Sequence, residues 1–360
     1  MRKQIVAIIL ALVLTASILP TDALAADPFL TEVQTKTEQL LYTVELQKTQ
    51  FGFENVDFDT LALGNEIPAY EVTENGLLKI STIHYFPVLS NEEWVATVIV
   101  TYNSNAEMSV ELSTKYINNY ETLLKSGDSG GVALVYDNVA EYLFVGSNYS
   151  VVGTYEEMFG RAKLTSSIAL DDVVGLASHM RLTVGVGNNT RATVNNVFLS
   201  VPQIEQPTDQ TCWAASIASV LQYYGESYDV YDVCTMAGLS TSQGANMYQC
   251  TDIIEDFGYS WGKRNTLNDY YHSEVYIEDV IVEMYINRSP VIGRFWNEES
   301  SYHAVVLQGY VYDLMPVNTV TYMDPYVGAY YSSTVPDDGK ITIAFNGQTY
   351  KLHMACAVYE

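Results

Sequence analysis

The apolar residues of this chain change their spacing near residue 200, and that change limits its architecture more than any other feature. Before it the apolar runs are short and nearly continuous, as in Leu77-Leu78-Lys79-Ile80-Ser81-Thr82-Ile83, Trp94 to Val100 and Val132 to Tyr136. Turn residues such as Ser90-Asn91 and Asn103-Ser104-Asn105 separate them, the pattern of an antiparallel meander. Glu141 to Val145 is placed to pair with Val132 to Tyr136. One helix is expected in this half, over 32–48, from Leu40, Leu41, Val44 and Leu46.

After Val201-Pro202 the spacing becomes helical. Trp213, Ile217, Val220, Leu221 and Tyr224 lie on one face of a helix over 212–224, which Gly225 ends. A helix over 243–257 turns Met247, Cys250, Ile254 and Phe257 inward and stops at Gly258. Another, over 274–286, carries Ile277, Val280, Ile281, Met284 and Tyr285. Strands follow at 291–295, 303–310, 319–323 and 340–345. Helices followed by strands define an α+β class.

A length of 360 residues exceeds what one core usually holds, so two domains are expected. They are a β-rich unit over 26–195 and a second unit over 196–360. The polar stretch from Gly187 to Asn196 marks the boundary, and exposed loops of this kind are open to proteolysis. The 29 tyrosines are expected to pave strands and the face between the units.

Residues 1–25 read as an export signal. Arg2 and Lys3 precede an apolar run from Ile5 to Leu14, and Ala23-Leu24-Ala25 is a small-x-small cleavage site. Pro20, Thr21 and Asp22 interrupt the run before it could span a bilayer. A secreted, extracellular protein without a membrane anchor is therefore expected. Seventeen Lys and Arg stand against 43 Asp and Glu, a net charge of −26. That charge argues against nucleic acid or an anionic membrane as main partner, because binding phosphates needs a basic surface.

All four cysteines, Cys212, Cys234, Cys250 and Cys356, lie in the C-terminal half. They do not make a disulfide framework; core residues or one bridge are expected, with Cys234 and Cys250 the nearest pair. Cys212 is placed differently, at the first turn of the 212–224 helix. The unsatisfied N–H groups there carry partial positive charge, which together with a neighbouring imidazolium favours a reactive thiolate. Gln206, six residues upstream, is within reach to donate its amide to an oxyanion beside the Cys212 N–H. His303 opens a buried strand, and Asp324 ends the next one, in Met323-Asp324-Pro325. Adjacent antiparallel strands would bring the two together, and a carboxylate would then fix the ring's tautomer and orientation.

With these residues in place the chain resembles the papain-like cysteine peptidases, especially compact secreted bacterial ones such as the staphopains and C39-like proteins. The matching features are Gln206 with Cys212-Trp213-Ala214, His303-Ala304-Val305-Val306 with Gly309-Tyr310, and Asp324-Pro325. Val201-Pro202-Gln203-Ile204 and Tyr223-Tyr224-Gly225 also look like that group. The resemblance covers residues 201–360 and implies a papain-like catalytic domain, a helical part plus an antiparallel sheet. It makes Cys212 the nucleophile, His303 its base, Gln206 the oxyanion donor and Asp324 the orienting residue, with no metal or cofactor. The Cys-to-His separation of 91 residues implies loops shorter than in the large plant and lysosomal enzymes. Asp324 stands where those enzymes use Asn, and Ser301-Tyr302 lacks the glycine often found before the histidine.

The expected activity is that of an endopeptidase acting on proteins or peptides. The segments Tyr85-Phe86-Pro87-Val88-Leu89 and Trp94-Val95-Ala96 mildly resemble bacterial cysteine-peptidase leaders. By that likeness 26–195 is a prodomain that covers the cleft and inhibits it until removal near 187–200; the alternative is a permanent binding domain. Two other functions use the same residues: a transglutaminase-type acyl transferase, or a surface-binding protein on a disabled scaffold. Gly127-Asp128-Ser129-Gly130-Gly131 copies a serine-peptidase loop but is read as a tight turn, since His84 sits in an expected strand. His272 and His353 stand apart, with no nearby His or Cys to share a metal.

Overall fold

The structure is a computed structural model. It describes residues 27–74, 76–102, 106–127, 130–137, 140–154, 175–176, 178–184, 195–264, 275, 277–297, 301–312, 318–336 and 338–360. The expected export signal, the Asp128-Ser129 pair, most of the expected boundary stretch and His272 lie outside the described residues.

Helix α1 (Pro28–Leu46) starts ahead of the expected 32–48 span because the chain caps it earlier. An Asp27 carboxylate oxygen accepts the Phe29 N–H at 3.0 Å, and Pro28 takes the first helical turn, where a missing N–H costs nothing. Six strands follow: β1 (Ala62–Gly64), β2 (Ala69–Thr73), β3 (Gly76–Lys79), β4 (His84–Ser90), β5 (Glu93–Tyr102) and β6 (Met108–Ser113). Helix α2 (Ile117–Lys125) precedes β7 (Val132–Tyr136), β8 (Ala140–Val145), β9 (Asn148–Thr154), β10 (Ser178–Arg181) and β11 (Asn195–Phe198). As the spacing predicts, β7 and β8 pair antiparallel, with Val132 opposite Val145.

The C-terminal half opens with helices α3 (Cys212–Tyr223), α4 (Val230–Met236) and α5 (Met247–Asp256). Gly225 and Gly258 adopt φ of +95° and +88°, a conformation that ends a helix and that glycine enters without strain. Strand β12 (Ser260–Arg264) and helix α6 (Ile277–Ile286) lead into β13 (Val291–Trp296), β14 (Tyr302–Tyr312) and β15 (Asn318–Asp324). Strands β16 (Ala329–Val335), β17 (Thr342–Phe345) and β18 (Gln348–Tyr359) complete the chain. The expected inward face of α6 differs at one position. Tyr285 is exposed and Glu283 is buried instead, where its carboxylate accepts from Tyr359 Oη and Asn287 Nδ2, both at 2.7 Å. No disulfide joins the four cysteines; Cys234, Cys250 and Cys356 are buried core residues.

Among the described residues, thirteen strands form one sheet. Its order is β10-β1-β4-β5-β6-β16-β15-β14-β13-β18-β12, with β11 added on β14 and β17 on β18. A smaller sheet runs β3-β2-β7-β8-β9, in which β2 and β7 are parallel. The large sheet crosses the expected boundary between 195 and 196. At the crossing β6 pairs antiparallel with β16, placing Ser113 opposite Tyr331, Leu112 opposite Ser332 and Glu111 opposite Ser333. Helix α1 packs over both of these strands and buries Val33, Leu40, Leu41 and Val44, each worth about 1.5–3 kcal/mol of apolar burial. Thr319 of β15 donates its hydroxyl to that of Thr43 in α1 at 3.2 Å. The main core likewise runs through both halves, from Tyr85, Trp94 and Tyr116 to Trp213, Val306 and Tyr322.

Candidate active site

The site is assembled at the start of α3. Thr211 precedes the helix but gives it no side-chain cap. Its hydroxyl turns back instead, donating to the Thr208 carbonyl at 2.9 Å and accepting the Thr208 N–H at 3.1 Å. The first-turn N–H groups beside Cys212 therefore keep their partial positive charge. Cys212 is half-buried at this tip, while Trp213 and the rest of the inner helix face sink into the core. Trp213 Nε1 donates to the Gln243 carbonyl at 3.1 Å and holds the adjoining loop against the helix.

His303 and Asp324 come from neighbouring strands. In the β14–β15 ladder Val306 faces Met323, so one step on Asp324 reaches the level of Val305, and His303 is its diagonal neighbour on the same face. Cross-strand diagonals of this kind are within reach of a ring and a carboxylate. His303 Nε2 lies 2.7 Å from Asp324 Oδ1, and the same oxygen accepts the Tyr326 N–H at 2.9 Å. With Nε2 engaged by the carboxylate, Nδ1 is the ring nitrogen left for Cys212, which lines the same cleft and favours the protonated ring.

Charge and burial compete at this pair. Burial disfavours the imidazolium, but the Asp324 charge and hydrogen bond, reinforced by Cys212, outweigh it and push the His303 pKa up to about 9. For Asp324, burial pulls upward, yet His303, the Tyr326 N–H and the Lys115 charge together hold the carboxyl below its usual range. The ring of Phe345 covers the imidazole, with centroids 3.9 Å apart and planes 9° from parallel.

Gln206 meets the site from behind its edge. Its backbone N–H donates to the Pro325 carbonyl at 2.6 Å, which ties the loop before α3 to the turn after Asp324. Its side-chain Nε2 donates to the Thr208 carbonyl at 2.9 Å, and its buried Oε1 has no hydrogen-bond partner. Of the four residues singled out in the sequence, His303 and Asp324 are hydrogen-bonded, Cys212 shares their cleft, and Gln206 joins them through the backbone. Phe345, the Tyr326 N–H and Lys115 carry no sequence signal for a role here; Phe345 falls in an expected strand and nothing in its spacing marks it as a cover for His303.

A cleft of about 340 Å³ opens over the pair, lined by Asp209, Cys212, Trp213, Asn246, Arg294 and His303 among others. All its lining residues lie between 209 and 345, so among the described residues none from 27–198 lines it. The Arg294 guanidinium stacks 3.5 Å above the Tyr302 ring and gives the cleft a positive group. A larger open groove at Tyr223, Arg288 and Glu360 contains no nucleophile. Two further histidines are engaged elsewhere: His84 pairs with Glu66 at 2.8 Å, and His353, half-buried beside Arg294, is held below its ordinary pKa by burial and then by that charge.

Residues 198–346 match the model of the Peptidase_C39 like family. No curated protein matches the chain. Among solved structures, one similar chain is a double glycine motif protease from an AMS/PCAT transporter, in complex with the leader peptide. It is 20% identical over 45% of this chain and 93% of its own, with a TM-score of 0.30. A second is the peptidase domain of Streptococcus ComA, a bi-functional ABC transporter involved in quorum sensing, 15% identical over 37% of this chain and 96% of its own, with a TM-score of 0.25. Residues 198–346 are thus similar to the Peptidase_C39 like family, and the chemistry of the site is read from this chain's own residues.

Proposed function

We propose that the protein is a secreted cysteine peptidase that hydrolyses peptide bonds in proteins or peptides. The observation that carries this reading is the meeting of Cys212, at a helix tip, with the hydrogen-bonded pair His303–Asp324 in one cleft. Residues 1–25 direct export and are removed. None of the described residues of 27–184 lines the cleft, and the reading includes no plug formed by them.

The chemistry is acyl transfer in two stages. The Cys212 sulfur attacks the peptide carbonyl carbon, and the carbonyl electrons move onto oxygen. The Cys212 N–H and the Gln206 amide N–H not bonded to Thr208 donate to that oxyanion. As the C–N bond breaks, His303 Nδ1 delivers its proton to the leaving amine, with Asp324 holding the ring through Nε2. Water then gives a proton back to Nδ1 and attacks the thioester, releasing the acid and the Cys212 sulfur.

Treating the purified protein with a thiol-directed peptide electrophile should label Cys212 alone, and Cys212→Ala should lose both the label and the cleavage of a peptide library. Cleavage that survives Cys212→Ala would overturn the reading. Isopeptide products in place of new chain ends would assign the same site to transamidation instead.

A further inference from the structure

Beyond the Thr43–Thr319 hydrogen bond, three contacts from the N-terminal half reach the residues around Asp324 and His303. The first is Glu111 of β6, fully buried opposite β16. Its carboxylate accepts from Tyr322 Oη at 2.9 Å and from the Ala344 N–H at 2.7 Å. Tyr322 lies two residues before Asp324 on β15, and Ala344 directly precedes Phe345, the ring stacked on His303. One side chain thus ties the strand that carries Asp324 to the strand that covers His303.

The second contact is Lys115, 4.9 Å above the Tyr326 ring while its ammonium pairs with the buried Glu141. Tyr326 in turn donates its N–H to Asp324 and meets Phe345 edge-on, with centroids 5.1 Å apart. The third is Gly153 of β9, where an added Cβ would lie 2.3 Å from the Tyr326 ring, so the two halves meet there without room for a side chain. These contacts come from strand β6, from Lys115 two residues beyond its end and from a strand of the smaller sheet, and they converge on 322–326 and 344–345. An inhibitor that is later removed would be expected to line the cleft; none of Glu111, Lys115 and Gly153 does.

We infer that the N-terminal half is a permanent part of the working site and that Glu111 is its positioning residue, holding Asp324 and Phe345 in place about His303 through Tyr322 and Ala344. This rests on the peptidase reading above. It departs from the sequence expectation of a prodomain removed before activity. The groups facing Glu111 are Tyr322, Lys115 and Asp324; burial, the largest influence, holds its carboxyl protonated to about pH 8. A neutral amide is therefore a close substitute for it at neutral pH.

The test uses the full chain. Glu111→Ala should lower kcat roughly 10- to 100-fold, as expected for a misplaced reacting group, with KM within about twofold. Glu111→Gln should restore most of that loss at pH 7, because its carbonyl oxygen takes the Ala344 N–H. Should Glu111→Ala not fold, Gly153→Ala presses on Tyr326 from the other side and should cause the same fall in kcat. Wild-type kcat in these variants, or Glu111→Gln as inactive as Glu111→Ala, overturns the inference. Native mass spectrometry of the Cys212-labelled enzyme should find residues 27–184 with it, covalently or as a bound fragment; a labelled, active species without them also overturns it. If wild type cleaves no peptide at all, the peptidase reading fails, while the pH dependence of Cys212 alkylation still reports whether Glu111→Ala disturbs the cysteine–histidine pair.

Discussion

Phe345 lies flat on the imidazole of His303, so the ring proposed as the base is held between an aromatic plate and a carboxylate. The plate excludes water from one face while Asp324 fixes the edge. Phe345→Leu keeps the apolar cover but loses the plane. Steady-state kinetics should show kcat down about tenfold with little change in KM, since a small misplacement of the base affects the reaction more than binding. Unchanged kcat would mean that Asp324 alone orients the ring.

Stability should fall as pH rises from weakly acidic to alkaline. His303 holds its proton to about pH 9 when folded, against an ordinary value of 6.5. Its contribution is whole below 6.5 and is lost as pH climbs through 9. Glu111 adds to the fall earlier. Its carboxyl ionises near 4.5 in the unfolded chain but near 8 when folded, so unfolding gains progressively between those values. Asp324 acts in the other direction at the acid end, where protonation removes what its lowered pKa contributes. Urea midpoints measured across pH should therefore decline through the neutral range. Asp324→Asn should flatten the upper part of the decline and Glu111→Gln the lower part.

Gln206→Ala should separate binding from oxyanion stabilisation. Removing one such donor typically costs on the order of 10²–10³ in turnover. Because Gln206 also spans to Thr208 and its loop bonds to Pro325, the variant should be checked for an unchanged urea midpoint. A folded Gln206→Ala enzyme with full kcat would assign the second donor elsewhere.

Lys115 and Glu141 form a buried pair, with side-chain exposures of 7% and 0%. Lys115→Met keeps the stem but leaves the Glu141 charge without its cation, at a cost of about 3–5 kcal/mol in urea unfolding. Lys115→Met combined with Glu141→Gln should recover much of that loss. A cost below about 1 kcal/mol for the single change would show that Tyr116, which donates to Glu141 at 2.6 Å, suffices for the carboxylate.

The sequence revealed the site more fully than the frame around it. Cys212 at a helix start, His303 at a strand start and Asp324 at a strand end are each marked by local pattern, and chain order brings the strands together. The helices over 212–224, 243–257 and 274–286 were equally legible from apolar spacing and their glycine stops. Strand β18 was not, because Lys351 and His353 interrupt its apolar run and its pairing partners, β12, β13 and β17, are scattered along the chain. Tyr285 was misplaced for a related reason: the period pointed inward, but Glu283 found two donors inside and took the buried position. The seam between β6 and β16 left no local trace at all. It joins residues more than 200 positions apart, and Glu111 at one end of the pairing reads in sequence as a solvated residue until its two donors are seen.

That seam has a consequence for anyone dividing the molecule. A fragment beginning at residue 196 would present the rim of β16 with the backbone groups of Tyr331 and Ser333 stripped of their partners, and the complementary fragment would present β6 in the same state. Raw rims of this kind recruit any extended chain nearby. The excised catalytic piece should clump when made alone and dissolve when the missing piece is supplied in trans.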